Sequence, residues 1–276
     1  MVKAIFIKII AIAGVAAALR FGDGADGWIA AVVIVALTLA WLAWGVFNVN
    51  SSMWADTAWR APEPVKAVAL TFDDGPDPRF TPEILRVLAE KKVKAAFFSV
   101  GSRVIENPDL TKQIHDAGHI IGNHSESHGM WINFSLHKRL RREIQDTNAA
   151  IRQAIGHVPR LYRAPHGFKN PALGDVLATE EMLAVGWQVR GFDAVSGNAA
   201  KIAQRVVNGA SPGGVILLHD GAGLQGTDDR SATVEALPVI IDGLRARGLE
   251  IVRLDELLKL EPYQETKPVA QGGMPH

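Results

Sequence analysis

Cysteine is absent from the 276 residues. Disulfides and thiolate-held metals are thereby excluded, and any bound metal must use histidine and carboxylate. The absence leaves the compartment open, because oxidising and reducing spaces both tolerate it. Net charge is also missing: 29 Lys and Arg balance 29 Asp and Glu. That balance gives no overall pull towards nucleic acid, which is not expected as a partner. No internal repeat is visible. With 48% hydrophobic residues, the chain is long enough for one well-buried domain plus an extra segment.

Charge is missing locally as well. Trp28 to Phe47 is a run of twenty residues without a charge, which as a helix spans about 30 Å, the thickness of a bilayer core. Five of the seven Trp lie before position 60, as in an interfacial aromatic belt. Ahead of it, Ile9 to Leu19 is apolar but shorter, with Lys3 and Lys8 before it and Arg20 after it. It reads either as a signal-peptide core, with Ala16, Ala17 and Ala18 for cleavage, or as a first span. The expected arrangement over 1–50 is a membrane anchor, a two-helix hairpin with helices at 4–19 and 28–47. For a hairpin, Lys3, Lys8, Arg60 and Lys66 flank the ends and only Arg20 lies in the loop, which places the rest of the chain in the cytoplasm. A single span at 28–47 places it outside, and both topologies fit the sequence. The chain is expected at a cell membrane, with the lipid bilayer as a partner.

Residues 51–66, with Pro62 and Pro64, read as a linker. From Ala67 onwards strand-like runs alternate with helical patterns. The runs are Ala67–Phe72, Lys94–Val100, His119–Gly122, Leu161–Arg163, Gly186–Arg190, Val215–Leu218 and Leu249–Val252. Helices are expected over Thr81–Lys92, with Pro82 in the first turn, and over Leu136–Ile155. Such alternation predicts an α/β fold with parallel strands and right-handed crossovers. About seven units suggest an incomplete (β/α) barrel over 67–260, and the polar tail at 261–276 is expected to be disordered.

Several strand ends carry chemistry. Leu70-Thr71-Phe72-Asp73-Asp74-Gly75-Pro76 ends an apolar run in two adjacent carboxylates. Two neighbouring acids repel, and a cation held by one leaves the other free as a base. His124 and His128 are four apart, and on one helical turn they would face one metal. With the Asp pair they make a two-His-one-carboxylate set, which leaves positions open for water and substrate. Glu126 between them lacks the His-Glu-x-x-His spacing and is read as solvated. Arg163 and His219 also follow strands, as does Asp193, which could hold a histidine protonated as an acid.

Thr71 to Pro76, His124-Ser125 with His128, Arg163-Ala164-Pro165 and Leu217-Leu218-His219-Asp220, in that order, resemble the NodB-type polysaccharide deacetylases, carbohydrate esterase family four. The resemblance covers residues 65 to 258 and implies a distorted (β/α) barrel. It implies that Asp74, His124 and His128 bind one divalent metal, usually zinc. Asp73 becomes the general base acting on metal-bound water, and His219 the general acid for the leaving amine. Arg163 tethers Asp73, Asp193 orients His219, and Leu217 lines the acetyl-methyl pocket. The sequence departs from the family in two places. The fourth motif, Asp-x-x-Asp-Trp, is here Arg190-Gly191-Phe192-Asp193-Ala194, and His166 stands after Pro165 where an aromatic is usual. The backbone N–H of His166 could still serve the oxyanion. The implied activity is N-deacetylation of a carbohydrate, whether amino-sugar polymer, oligosaccharide or lipid-linked sugar. The alternatives are an amidase on a non-sugar amide and an inactive membrane-tethered binding module. The sugar, the native metal and the oligomeric state are not encoded in any motif.

Overall fold

The apolar runs become short parallel strands around a curled sheet. The computed structural model describes residues 2–223 and 228–265. Its strands are β1 (Thr57–Ala58), β2 (Ala67–Asp73), β3 (Ala96–Ser99), β4 (Ile120–Asn123), β5 (Leu161–Tyr162), β6 (Leu183–Val185), β7 (Val189–Arg190), β8 (Val215–His219) and β9 (Glu250–Ile251). Helices α1 (Val2–Phe21) and α2 (Gly24–Phe47) come first. They are followed by α3 (Thr81–Glu90), α4 (Gly101–Glu106), α5 (Pro108–Asp116), α6 (His137–Ile155), α7 (Pro171–Thr179), α8 (Ala199–Gly209), α9 (Ser231–Ala246) and α10 (Leu254–Leu258).

The strand order is β1-β6-β5-β4-β3-β2-β8-β7, with β9 paired to β2 off that path, and every strand pair is parallel. Strands β1 and β7 form the two edges, so the sheet is an incomplete barrel, as expected. β2 lies in the middle and is buried along its whole length. Its alternate residues separate two cores. Val68, Leu70 and Phe72 pack outward with Ile84 and Leu88 of α3 and Ile240 and Leu244 of α9. Ala67 and Ala69 pack inward with Phe98, Leu161, Val215 and the α10 leucines Leu254 and Leu257, which close the base. The inward column continues as Thr71 and Asp73, so polarity appears only at the C-terminal mouth of the sheet.

Among the described residues nine strands form where about seven were expected, because β1 and β6 are too short to show a period. β1 also corrects the linker expectation. Thr57 and Ala58 pair with Ala184 and Val185, and Ser51, Met53, Trp54 and Ala55 are buried. Pro62 and Pro64 therefore follow a segment built into the domain rather than a free connection. The start of the supposed tail is also tied down. Tyr263 bridges Pro159, and its hydroxyl accepts from the Ile121 amide at 3.1 Å. The rest of that tail, 266–276, lies outside the described residues.

Helices α1 and α2 form a hairpin. A Cβ on Gly22 would lie 2.4 Å from the Gly27 Cα, so glycine at both positions lets the helices meet at the turn. Among the described residues α2 alone is long and apolar enough to cross a membrane; Ile9–Phe21 is a shorter apolar helix. No flexible joint separates α2 from the sheet. The Lys169 amide donates to the Val46 carbonyl at 3.2 Å, and its ammonium donates to the Val49 carbonyl at 2.6 Å and the Thr57 hydroxyl at 2.8 Å. Met53 and Trp54 pack on Trp41, Leu42 and Val46.

This integration is testable at Gly174 of α7, where an added Cβ would lie 1.7 Å from the Trp54 carbonyl oxygen. Gly174→Ala should lower stability by about 1–3 kcal/mol through overpacking, read as a fall in the denaturation midpoint. An unchanged midpoint would show that residues 51–56 do not pack there.

Candidate active site

The strand ends singled out in the sequence converge on one cavity of about 640 Å³. Asp73, Asp74, His124, His128, His166, Leu217 and His219 all line it. The site lies at the C-terminal mouth of the parallel sheet, where barrel folds gather residues from separate strands. Pro165 is not among the lining residues. It is buried, with its carbonyl accepting from the Asn133 side chain at 2.5 Å.

The two aspartates part company because β2 stops between them. Asp73 is the last strand residue, and Asp74 has φ 74, which breaks the alternation of faces and leaves both carboxylates in the mouth. Asp73 Oδ1 accepts from Arg163 Nη1 at 2.7 Å. Asp74 Oδ1 instead lies 3.1 Å from His128 Nε2 and 3.4 Å from His124 Nε2. Burial alone would raise the Asp74 pKa, but the two imidazoles and His219 outweigh it and hold the carboxyl well below the usual range. Asp220, which the sequence reading passed over, pins this turn from below. Its carboxylate accepts from the Gly75 amide at 3.1 Å and from the Thr81 hydroxyl at 2.6 Å. Burial, with Asp74 and Asp73 nearby, pushes Asp220 up to about 7.

The expectation of a helical turn at His124 and His128 is not met. Residues 124–128 form a loop after β4, with positive φ at Ser125 (65°) and His128 (48°). Asn123 Oδ1 accepts from the Ser125 amide at 2.9 Å, and the Ser125 hydroxyl accepts from the His128 amide at 3.1 Å. These local bonds fold the loop so that the imidazole centroids lie 4.9 Å apart. His124 Nδ1 is 2.8 Å from the Arg163 carbonyl, which can only accept, so Nδ1 carries a proton and Nε2 is the ring nitrogen turned towards Asp74. Glu126 is half-buried beside Thr147 and outside the cavity, rather than solvated as read.

Arg163 is fully buried. It donates to Asp73, to the Thr71 hydroxyl at 2.7 Å and to the carbonyls of Val185 and Gly186 at 3.2 Å, and its guanidinium lies 4.0 Å from the Phe98 ring centroid. Opposite, His219 Nδ1 meets Asp193 Oδ1 at 3.0 Å, while Asp193 Oδ2 accepts from the His219 amide at 2.8 Å and from the Thr233 hydroxyl at 2.9 Å. Burial would lower the His219 pKa, but Asp193 above all, with Asp74 and Asp73, raises it to about 9. His166, at φ 58, sets its ring 5.1 Å from that of His128, and its buried Nε2 has no hydrogen-bond partner among the described residues.

One side chain from each of three acidic or imidazole positions, Asp74, His124 and His128, offers a ligand atom within 4.8 Å of the others, which makes them a candidate metal site. Beside a second carboxylate and a protonated imidazole, that set defines a hydrolase. The family model for polysaccharide deacetylase matches residues 60–185. The chain is 36% identical over 203 residues to a peptidoglycan-N-acetylglucosamine deacetylase of Bacillus cereus, covering 73% of this chain and 92% of that one. It is 36% identical over 196 residues to a chitooligosaccharide deacetylase of Sinorhizobium fredii, covering 69% and 91%. Its fold is similar to the crystal structure of the Bc1960 peptidoglycan N-acetylglucosamine deacetylase, with a TM-score of 0.70, 31% identity, and coverage of 75% and 95%. The chain belongs to the polysaccharide deacetylase family, and its class of activity is carbohydrate N-deacetylation.

The buried pair yields a prediction. Arg163→Met would leave the Asp73 carboxylate without its cation in a closed site, which costs about 3–5 kcal/mol. Chemical denaturation should show that loss. A variant as stable as the parent would show that water or another group already compensates Asp73.

Proposed function

We propose that this chain is a membrane-anchored, metal-dependent hydrolase that removes N-acetyl groups from an amino-sugar substrate, using Asp73 as base and His219 as acid. The observation that carries this reading is the division of labour within Asp73-Asp74. One carboxylate is tethered by Arg163 at 2.7 Å and the other faces two imidazoles at 3.1 and 3.4 Å. The donor set fits a divalent ion: two imidazole nitrogens and one oxygen, buried, with the His124 lone pair fixed inward by the Arg163 carbonyl. A chain without cysteine and with this set suits zinc. Bound there, the ion supplies a Lewis acid for the amide carbonyl and lowers the pKa of water.

The protein residues do the rest. Arg163 keeps Asp73 oriented so that its free oxygen takes a proton from the attacking water. His219, beside Asp73 on the neighbouring strand β8 and protonated through Asp193, gives its proton to the leaving nitrogen. Acetate and a free amine result. Leu217 and His166 border the space for the acetyl group and the sugar, and the names of the similar proteins support an N-acetylglucosamine-type substrate. Helix α2, with α1 packed along it, is the anchor.

The neighbours can be separated experimentally. Asp74→Ala should abolish binding of zinc in a calorimetric titration. Asp73→Asn should keep the metal and lose roughly a hundredfold or more in kcat. The opposite pattern would reverse the two assignments, and full activity after exhaustive chelation would reject the metal.

The acid has its own signature. His219 is raised to about 9, so it is protonated at neutral pH and loses its proton as the pH climbs through that value. Activity should therefore fall along a basic limb near 9. His219→Ala should lower the rate and remove that limb. A limb that survives the substitution would assign the acid elsewhere.

A further inference from the structure

Two parts of the cavity wall have no use in hydrolysing an acetamide. The first is apolar. Phe47, the last residue of α2, and Val49 line the cavity with Phe168 and Trp187. The Phe47 and Phe168 rings meet edge to face at 5.1 Å, and Phe168 lies 6.2 Å from His166 and 6.4 Å from Phe134. An aromatic path thus runs from the imidazoles of the reacting centre to the end of the apolar helix. From Phe134 it continues at 6.0 Å to Trp131, on a loop where Trp131 is 69%, Phe134 49% and Leu136 78% exposed. Large exposed apolar side chains gathered at the end of an exposed apolar helix form the kind of surface that a bilayer interface covers. The bonds from Lys169 to Val46 and Val49 hold the cavity mouth to that helix end.

The second part is a cation. Arg190 lines the cavity, and among the described residues no carboxylate pairs with it; its guanidinium lies 3.9 Å from the Phe192 ring centroid. It is the one Lys or Arg among the described lining residues. A guanidinium presented at a mouth without a carboxylate partner suits a phosphate, which it can bind through paired N–H groups.

We propose that the substrate is an N-acetylated amino sugar joined through phosphate to a membrane lipid. Its acetamide reaches Asp73 and His219, its phosphate sits at Arg190, and its lipid chain stays in the bilayer beside Phe47 and the Trp131–Leu136 loop. A soluble oligosaccharide would leave the apolar wall uncovered and Arg190 without an anion. The proposal rests on the deacetylase and membrane-anchor reading of the preceding subsection.

The test uses the full chain, loaded with zinc, in lipid nanodiscs. Amine release is measured on three substrates of the same N-acetylglucosamine chemistry: a chitooligosaccharide, the water-soluble sugar 1-phosphate, and a polyprenyl-phosphate-linked sugar in the disc. The lipid-linked sugar should be turned over with a kcat/KM at least about tenfold above either soluble substrate. Arg190→Gln and the double change Trp131→Ser, Leu136→Ser should each reduce that preference severalfold. Equal turnover of all three substrates would overturn the proposal while leaving the deacetylase reading intact. So would a preference for the soluble sugar phosphate, or one for the lipid-linked sugar that both variants leave unchanged. Failure on every substrate would overturn the deacetylase reading and this proposal with it. A full chain that stays in aqueous solution without detergent or lipid would remove the anchor and the proposal, but not the chemistry.

Discussion

The buried ion pair between Arg163 and Asp73 is the constraint around which the mouth of the sheet is organised. Arg163 is fully buried, and its four hydrogen bonds reach β2 through Thr71 and Asp73, and Val185 and Gly186 at the end of β6. Its guanidinium lies over Phe98 of β3. An unpaired guanidinium in this position would carry a desolvation penalty of several kcal/mol. The polar inward column at the mouth offsets that penalty, and Ala67 and Ala69 below it keep the base apolar. The same residue also acts through its backbone, because its carbonyl accepts a hydrogen bond from His124 Nδ1. One side chain therefore orients Asp73, and one peptide group fixes a proton on Nδ1 of the imidazole whose Nε2 faces Asp74. That coupling accounts for an arginine here rather than a lysine: only the planar fork reaches two strands at once.

The cavity shows a second division, between charge and greasiness. Asp73 and Asp74 line it together with His124, His128 and His219, while Asp193 and Asp220 are buried behind His219 and the Gly75 turn. These carboxylates are not equivalent. Asp74 is driven well below the normal range and Asp220 up to about 7, although both are buried at the same turn. The difference lies in their partners: imidazoles for Asp74, a hydroxyl and an amide for Asp220. Thus one acid is held charged beside two imidazoles, while the other, raised to about 7 by burial, holds the turn through the bonds it accepts. The opposite end of the cavity is aromatic and belongs partly to α2.

Much of the reacting centre was legible in the sequence, because each of its residues ends an apolar run or follows one closely. Asp73, His124, Arg163, Asp193 and His219 could be placed on strand ends without knowing how the strands pair. What failed was local geometry and long-range contact. His124 and His128 suggest a helix by spacing, but Ser125 and His128 adopt positive φ and form a turned loop instead. β1 and β6 have two and three residues, which is too few for alternation to show. Asp220 meets Gly75 across 145 positions of chain, and Phe47 meets Phe168 from a segment of different composition. No periodicity or motif encodes either contact. The stretch 51–66, with Pro62 and Pro64, suggested a linker, yet Ser51, Met53, Trp54 and Ala55 within it are buried.

That packing changes what an anchor can do. A catalytic domain on a flexible linker samples many orientations, and its tether raises only the local concentration of substrate. Here Trp41, Leu42 and Val46 of α2 pack on Met53 and Trp54, and the Val46 and Val49 carbonyls are bonded to Lys169. Lys169 follows directly on Phe168, which shapes the cavity. With α2 read as a span, the axis of the helix fixes the orientation of the mouth relative to the bilayer. The anchor then acts as a wall of the active site, and the depth at which Phe47 sits sets the height above the membrane at which an amide can reach Asp73 and His219.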